Sequence, residues 1–157
     1  MTDIRGCCLF LLTADCIPLA LIDEARGACA LVHASRATIA GGLIEASVRA
    51  LGASYGVEPA ALCAIIGPHI RKRSYAFDLP LASVDPAIAP FISYENNRAY
   101  VGLTDACIAA LTSAGVEPAR ITDAGEDTFS GPYFSHYRAA RNRAEREGRL
   151  ASILHLP

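Results

Sequence analysis

A chain of 157 residues is long enough to bury a sizeable core within one domain. Its 14 basic and 16 acidic side chains leave a formal charge of −2, which excludes the basic excess that draws a protein onto nucleic acid or an anionic membrane. Apolar residues make up 52% of the chain, so a soluble fold must bury much of itself or hold a face against something else.

Residues 1–6 carry charges and the apolar run at 7–12 is short, so the chain opens on a strand rather than a signal peptide. No apolar stretch reaches the length that spans a bilayer. The runs at 7–12, 17–22 and 27–33 read as strands, and their near-continuous apolarity predicts burial on both faces. A short turn at 23–26 joins the second to the third. Pro18 lacks a backbone donor and is expected to break the ladder beside Cys16. Residues 37–55 give the clearest helix. Ile39, Leu43, Ala46 and Ala50 form one stripe, with Ile44, Val48, Leu51 and Tyr55 beside it. Gly56 is placed to end it. Gly41 and Gly42 would each cost roughly 1 kcal/mol relative to Ala inside a helix. That cost points to close packing on a sheet or to the approach of a ligand.

Residues 62–66 read as a buried strand ending at Gly67-Pro68, followed by Arg71-Lys72-Arg73. Residues 85–90 are a loop or short helix. Residues 104–114 form a second helix with Thr104 as N-cap and Gly115 at its end. Residues 120–132 read as loop, 138–148 as a solvated helix or mobile loop, and 149–156 as a closing strand. Strands and helices mix without regular alternation, which argues an α+β fold. The six cysteines, at 7, 8, 16, 29, 63 and 107, lie mostly in apolar runs. They read as free thiols of a reducing cytoplasm.

Two segments carry the chemistry: Thr13-Ala14-Asp15-Cys16-Ile17-Pro18 and Leu31-Val32-His33-Ala34-Ser35-Arg36. Each follows an apolar run, which delivers a reactive side chain at a strand end. Cys16 and His33 either hold a transition metal or act as nucleophile and base. Asp15 either tunes a metal ligand or ends its strand by bonding nearby amides. Arg36, near the start of the long helix, suits phosphate or an ordinary surface ion pair. His69 and His136 are subsidiary ligand candidates, and His155 reads as structural. Arg71, Lys72 and Arg73 read as a solvated cluster, with phosphate recognition as the alternative.

These segments resemble the YfiH-type family, in T-A-D-C-x-P followed by V-H-A-x-x-R and a Gly-containing helix. Ile66-Gly67-Pro68-His69-Ile70 with Ser74-Tyr75 resembles the family's G-P-x-I and its following aromatic. Tyr133-Phe134-Ser135-His136-Tyr137-Arg138 resembles its F-F-S-Y-R-R, and Gly148-Arg149 its closing G-R. The likeness runs through nearly the whole chain in order. It departs at His33-Ala34-Ser35-Arg36-Ala37, where the family has H-A-G-W-R-G, and at Ala76, where the family has an acidic residue. The chain reads as one YfiH-like domain, 1–157, without the family's N-terminal Q-x-H-G portion.

The resemblance implies a layered sandwich of mixed sheets packed between helices. It also implies an enzyme of the group once called laccase-like polyphenol oxidases, now understood as zinc-dependent and acting on purine nucleosides. Adenosine and inosine phosphorolysis and adenosine deamination are the expected reactions, with purine nucleoside and phosphate as partners. Zinc is expected on Cys16, His33 and a third histidine, with Arg36 as the phosphate-holding catalytic residue. Copper fits less well, because the repeated His-x-His pairs of a multicopper site are lacking. Two alternatives stand beside this reading. One is a catalytically impaired short relative, acting as a partner subunit or a self-associating binding protein. The other is a metal-free thiol hydrolase built on Cys16 and His33. Without the N-terminal strands an open edge or apolar face is expected, which predicts a homo-oligomer. A partner chain would then supply the third ligand from His69 or His136.

Overall fold

The apolar runs on either side of residues 23–26 form a hairpin. The computed structural model describes residues 1–80, 83–142 and 145–157. Strand β1 (Cys8–Thr13) precedes the hairpin strands β2 (Ile17–Asp23) and β3 (Ala28–Ala34). The hairpin is antiparallel, in register from Ile17 opposite Ala34 to Asp23 opposite Ala28. Its turn is closed by the Arg26 N–H, which donates to Asp23 Oδ1 at 3.1 Å.

Two helices follow where the sequence suggested one. α1 (Arg36–Ala40) and α2 (Leu43–Tyr55) are separated at Gly41 and Gly42. Gly42 takes φ +73, and a Cβ there would meet only the Glu45 side chain at 3.8 Å. The glycine therefore answers a left-handed backbone, not a close approach of sheet or ligand. The helix ends as expected at Gly56, with φ +66.

The 4-stranded sheet has the order β3-β2-β4-β8. β4 (Cys63–Ile66) lies antiparallel to β2, and β8 (Ile121–Asp123) lies parallel to β4 within the segment expected to be loop. Ile17, Leu19 and Leu21 on β2 alternate with Ala28, Ala30, Val32 and Ala34 on β3 to build one buried face. Ile44, Val48 and Leu51 of α2 pack into the same core. Pro18 does not break the ladder. It pairs opposite His33, and its missing donor faces β4, where pairing stops.

A second, 3-stranded sheet was not anticipated. β5 (Ala76–Asp78), β6 (Ile92–Glu95) and β7 (Arg98–Val101) lie in the order β5-β7-β6. Asn96 and Asn97 turn the β6–β7 hairpin at φ +49 and +60, the conformation a two-residue hairpin loop requires. α3 (Leu103–Ser113) follows with Gly102 at its N-cap in place of Thr104. α4 (His136–Arg141) occupies the start of the charged stretch; positions 143 and 144 of that stretch lie outside the described residues.

The last strand, β9 (Leu150–His155), pairs antiparallel with β1 as a separate ribbon. That pairing overturns the expectation of burial on both faces. Phe10 is 61% exposed and its partner Ile153 67% exposed, because nothing in the described chain covers the outer face of the ribbon. The architecture is α+β, with small sheets and helices in layers. No helix among the described residues is long and apolar enough to cross a membrane.

Candidate functional site

Between β1 and β2 the backbone turns sharply, and Asp15 takes φ +79, uncommon for a residue with a Cβ. Its surroundings hold it there. Oδ1 accepts the Thr128 hydroxyl at 2.6 Å and Oδ2 accepts the Tyr137 N–H at 2.6 Å. Its carbonyl accepts the Ile70 N–H at 3.0 Å. The side chain thus bonds remote groups rather than nearby amides, and it fixes the position of Cys16. The Cys16 thiol is pushed up in pKa by burial and then by the Asp15 charge. It stays protonated at neutral pH unless a cation displaces the proton.

His33 lies on β3 opposite Pro18, and it is exposed. The ladder ends at Ile17 opposite Ala34, so Cys16 stands one residue before β2 and His33 one residue inside the end of β3. The strand end is held by a helix cap: the Ser35 N–H donates to Thr38 Oγ1 at 2.8 Å, and the Thr38 hydroxyl donates to the His33 carbonyl at 3.0 Å. Gly67 abuts the other side of Pro18. A Cβ there would lie 2.8 Å from Pro18 Cγ, so only glycine lets β4 end this close.

Arg36 opens α1, and its guanidinium stands 5.3 Å from the centroid of the Phe77 ring. Among the described residues it makes no ion pair. Tyr75 meets Phe77 and Tyr137 edge-to-face, with centroids 4.8 and 5.4 Å away. Burial pushes the Tyr75 phenol up in pKa; the Arg36 charge opposes this, and Cys16 and Asp15 add to it. The ring therefore joins the surroundings of Cys16 to those of Arg36. Arg141 lies 3.4 Å over the Tyr137 ring. The sequence reading did not assign this aromatic group a role, although Tyr75 and Phe77 stand at strand-like alternation.

The remaining candidates fall elsewhere. His69 is 0% exposed, and both ring nitrogens are engaged, with the Gly67 carbonyl at 2.8 Å and Thr104 Oγ1 at 2.7 Å. It is not free to bind metal, and Thr104 serves it instead of capping α3. Burial, above all, holds the His69 imidazole below its usual pKa. Arg71 is not solvated: it holds Asp123 through two nitrogens at 2.8 and 2.7 Å. His136 is exposed and bonded to Glu147 Oε1 at 2.7 Å. His155 is exposed on β9 opposite Cys8 rather than packed inside.

A zinc centre with catalytic access needs three protein ligands and an open position. Cys16 and His33 supply a soft thiolate and an imidazole, two donors of the right kind. Among the described residues no three His, Cys, Asp or Glu side chains converge as a metal group. Nearby, Thr13 Oγ1 is buried without a hydrogen-bond partner among the described residues. The donor set thus fits part of such a centre and does not complete it.

Fold and site define an α+β protein of small layered sheets that carries a thiol and an imidazole at one end of a hairpin. Residues 1–157 match the family described as multi-copper polyphenol oxidoreductase laccase, and the chain belongs to it. It is 32% identical over 162 residues to Purine nucleoside phosphorylase ORF3 of Streptomyces griseus, covering 99% of this chain and 61% of that protein. It is 30% identical to Purine nucleoside phosphorylase LACC1 of Mus musculus, covering 90% of this chain and 35% of the relative. The crystal structure of the Bacillus licheniformis hypothetical protein YfiH superposes with a TM-score of 0.82 at 26% identity, over 99% of this chain and 60% of that one. The chain thus spans between about a third and three fifths of the length of these proteins.

Proposed function

We propose that this chain, as one domain of the family's fold, processes purine nucleosides in the cytoplasm. Zinc is held by Cys16 and His33, and phosphate is received at Arg36. The observation that supports the reading is the hairpin register, whose last pair, Ile17 opposite Ala34, has Cys16 as the chain neighbour of one member and His33 as that of the other. The names of the relatives, purine nucleoside phosphorylases from bacteria and a mammal, support the substrate class. Zinc is preferred to copper because a thiol and an imidazole suit its tetrahedral site.

In a site of this kind zinc supplies Lewis-acid chemistry. The chain's own residues do the rest. Cys16 gives up its proton on ligation, and Asp15 keeps the loop that bears it in place. Arg36 neutralises the incoming phosphate, whose oxygen bonds to the ribose C1′ as the bond from C1′ to the purine nitrogen breaks. The base leaves with a proton, giving adenine and ribose 1-phosphate from adenosine. In the deamination, water replaces the amino group of adenosine, giving inosine and ammonia.

Zinc-loaded protein incubated with adenosine, with and without phosphate, should yield adenine and inosine, separable by chromatography. Well-folded, zinc-replete protein that yields neither product overturns the enzyme reading. A second reading then takes its place, and the incomplete donor set favours it: a partner subunit or self-associating protein that does not turn over nucleoside alone. Self-association through the exposed face around Phe10 and Ile153 belongs to either reading. The metal-free thiol hydrolase is disfavoured by the raised pKa of Cys16, which keeps the nucleophile protonated.

A further inference from the structure

Two guanidinium groups rest on neighbouring residues of β5. Arg141, in the last turn of α4, lies 3.4 Å over the Tyr137 ring, and its Nη2 donates to the Ala76 carbonyl at 3.3 Å. Arg36, at the start of α1, stands 5.3 Å from the centroid of the next residue's ring, Phe77. The Phe77 and Tyr137 rings meet edge-to-face at 5.9 Å, and Tyr75 packs against both. One aromatic cluster therefore carries both cations. Among the described residues neither guanidinium makes an ion pair. The carboxylates beside the cluster are engaged by other groups. Asp78, next to Phe77, pairs with Arg98 at 3.4 Å, and Asp15 accepts from Thr128 and the Tyr137 N–H. At 3.4 Å a guanidinium lies flat on a ring, so stacking fixes its plane and leaves its N–H edge for another acceptor. Of the five donors of Arg141, the described chain engages one.

We propose that Arg141 is a second phosphate-binding residue, which joins Arg36 in holding one phosphate dianion at the rim of the aromatic cluster. The proposal rests on the reading of Arg36 as the phosphate-receiving residue. Two like charges on one cluster repel each other, and a dianion between them turns that repulsion into attraction. The rings keep water from one side of each cation, which strengthens its pull on an anion. A tetrahedral phosphate offers acceptor oxygens in several directions, so it can meet planar donor edges arriving from two different helices. Arg141 is also tied to the turn that bears Cys16. It stacks on Tyr137, whose N–H is bonded to Asp15, the residue before the thiol. A phosphate held there stands on the same aromatic cluster that links the surroundings of Cys16 to those of Arg36.

The test reads binding of inorganic phosphate to the full chain and needs no turnover. Calorimetry should show one phosphate per chain. Arg141→Gln should weaken it by about tenfold, and Arg141→Lys, which keeps the charge but not the planar fork, by less. Arg141 is exposed, so the fold should survive both changes; the unsubstituted chain decides the matter if it does not. At a phosphate concentration ten times the dissociation constant, phenylglyoxal modification of Arg36 and of Arg141, followed by mass spectrometry, should each slow by about tenfold. The exposed Arg49 of α2 should react at an unchanged rate, and chloride at equal ionic strength should protect neither residue. Protection of Arg36 alone, or phosphate binding unchanged in Arg141→Gln, overturns the proposal and leaves the phosphate site at Arg36 standing. Protection of neither residue, or no saturable binding, overturns both. Equal protection by chloride reduces the effect to screening and overturns the proposal as well.

Discussion

The Tyr137 backbone N–H donates to Asp15 Oδ2 at 2.6 Å across 122 residues of chain. With the Thr128 hydroxyl on the other oxygen, one buried carboxylate holds α4 and the loop before it against the turn that bears Cys16. Asp15→Ala strands both donors and forces a Cβ residue with no compensating bonds into the left-handed region. Denaturant titration should show a loss of about 2–5 kcal/mol. Asp15→Asn keeps an acceptor oxygen and tolerates the backbone, so its loss should be smaller. An alanine variant as stable as the parent would remove Asp15 from this role.

Cys16→Ser and His33→Ala should each lose most bound zinc, measured as metal per chain in the purified protein. A hydroxyl is a far poorer zinc ligand than a thiolate. Because burial and Asp15 raise the thiol pKa, zinc must displace a proton, and uptake should strengthen as pH rises. Stoichiometric zinc retained by both variants would place the metal elsewhere, with His136 the first candidate.

Acid should destabilise the fold through Asp123 and Asp127. Burial alone would raise each carboxyl. Arg71 and the Gly125 N–H outweigh it at Asp123, as do Ser74, Ser130 and two backbone N–H groups at Asp127, so both pKa values lie below the usual range. A carboxyl lowered on folding contributes stability that is complete above its unfolded pKa and lost as pH falls through its folded one. Thermal melts should therefore drop below the normal carboxylate range. Arg71→Met should lower the melting temperature at neutral pH and flatten this dependence. A melting temperature independent of pH through that range would contradict the assignment.

Charge on the outer face of the ribbon should separate any dimer. Phe10→Glu or Ile153→Lys places a charge where both side chains are mostly exposed, so the fold should survive. Light scattering of the parent should give a dimer mass and of either variant a monomer mass. A parent that is already monomeric at micromolar concentration rejects the association.

The hairpin, its turn and the end of α2 at Gly56 were legible in the sequence, because alternation and turn chemistry are local. The break at Gly42 was misread, since a left-handed glycine and a closely packed one look alike in sequence. The β6–β7 hairpin was missed, although Asn96-Asn97 between short apolar alternations was a usable signal. His69 and Thr104 could not have been joined by spacing: 35 residues separate them, and only the packing of α3 brings them to 2.7 Å. Asp15 was seen as a neighbour of Cys16, but the partners of its carboxylate, Thr128 and Tyr137, lie beyond residue 127.

The pairing of β1 with β9 orders events in biosynthesis. β1 is made before every other described element, while its strand partner among the described residues, β9, is made after them. The hairpin of β2 and β3 can close at once from local contacts, but the ribbon must wait for β9. Until then Phe10, Leu12 and an unpaired backbone edge stay open to the cell. A polypeptide stopped short of Leu150 would keep them so, and quality-control proteases would recognise it by β1 rather than by its severed end.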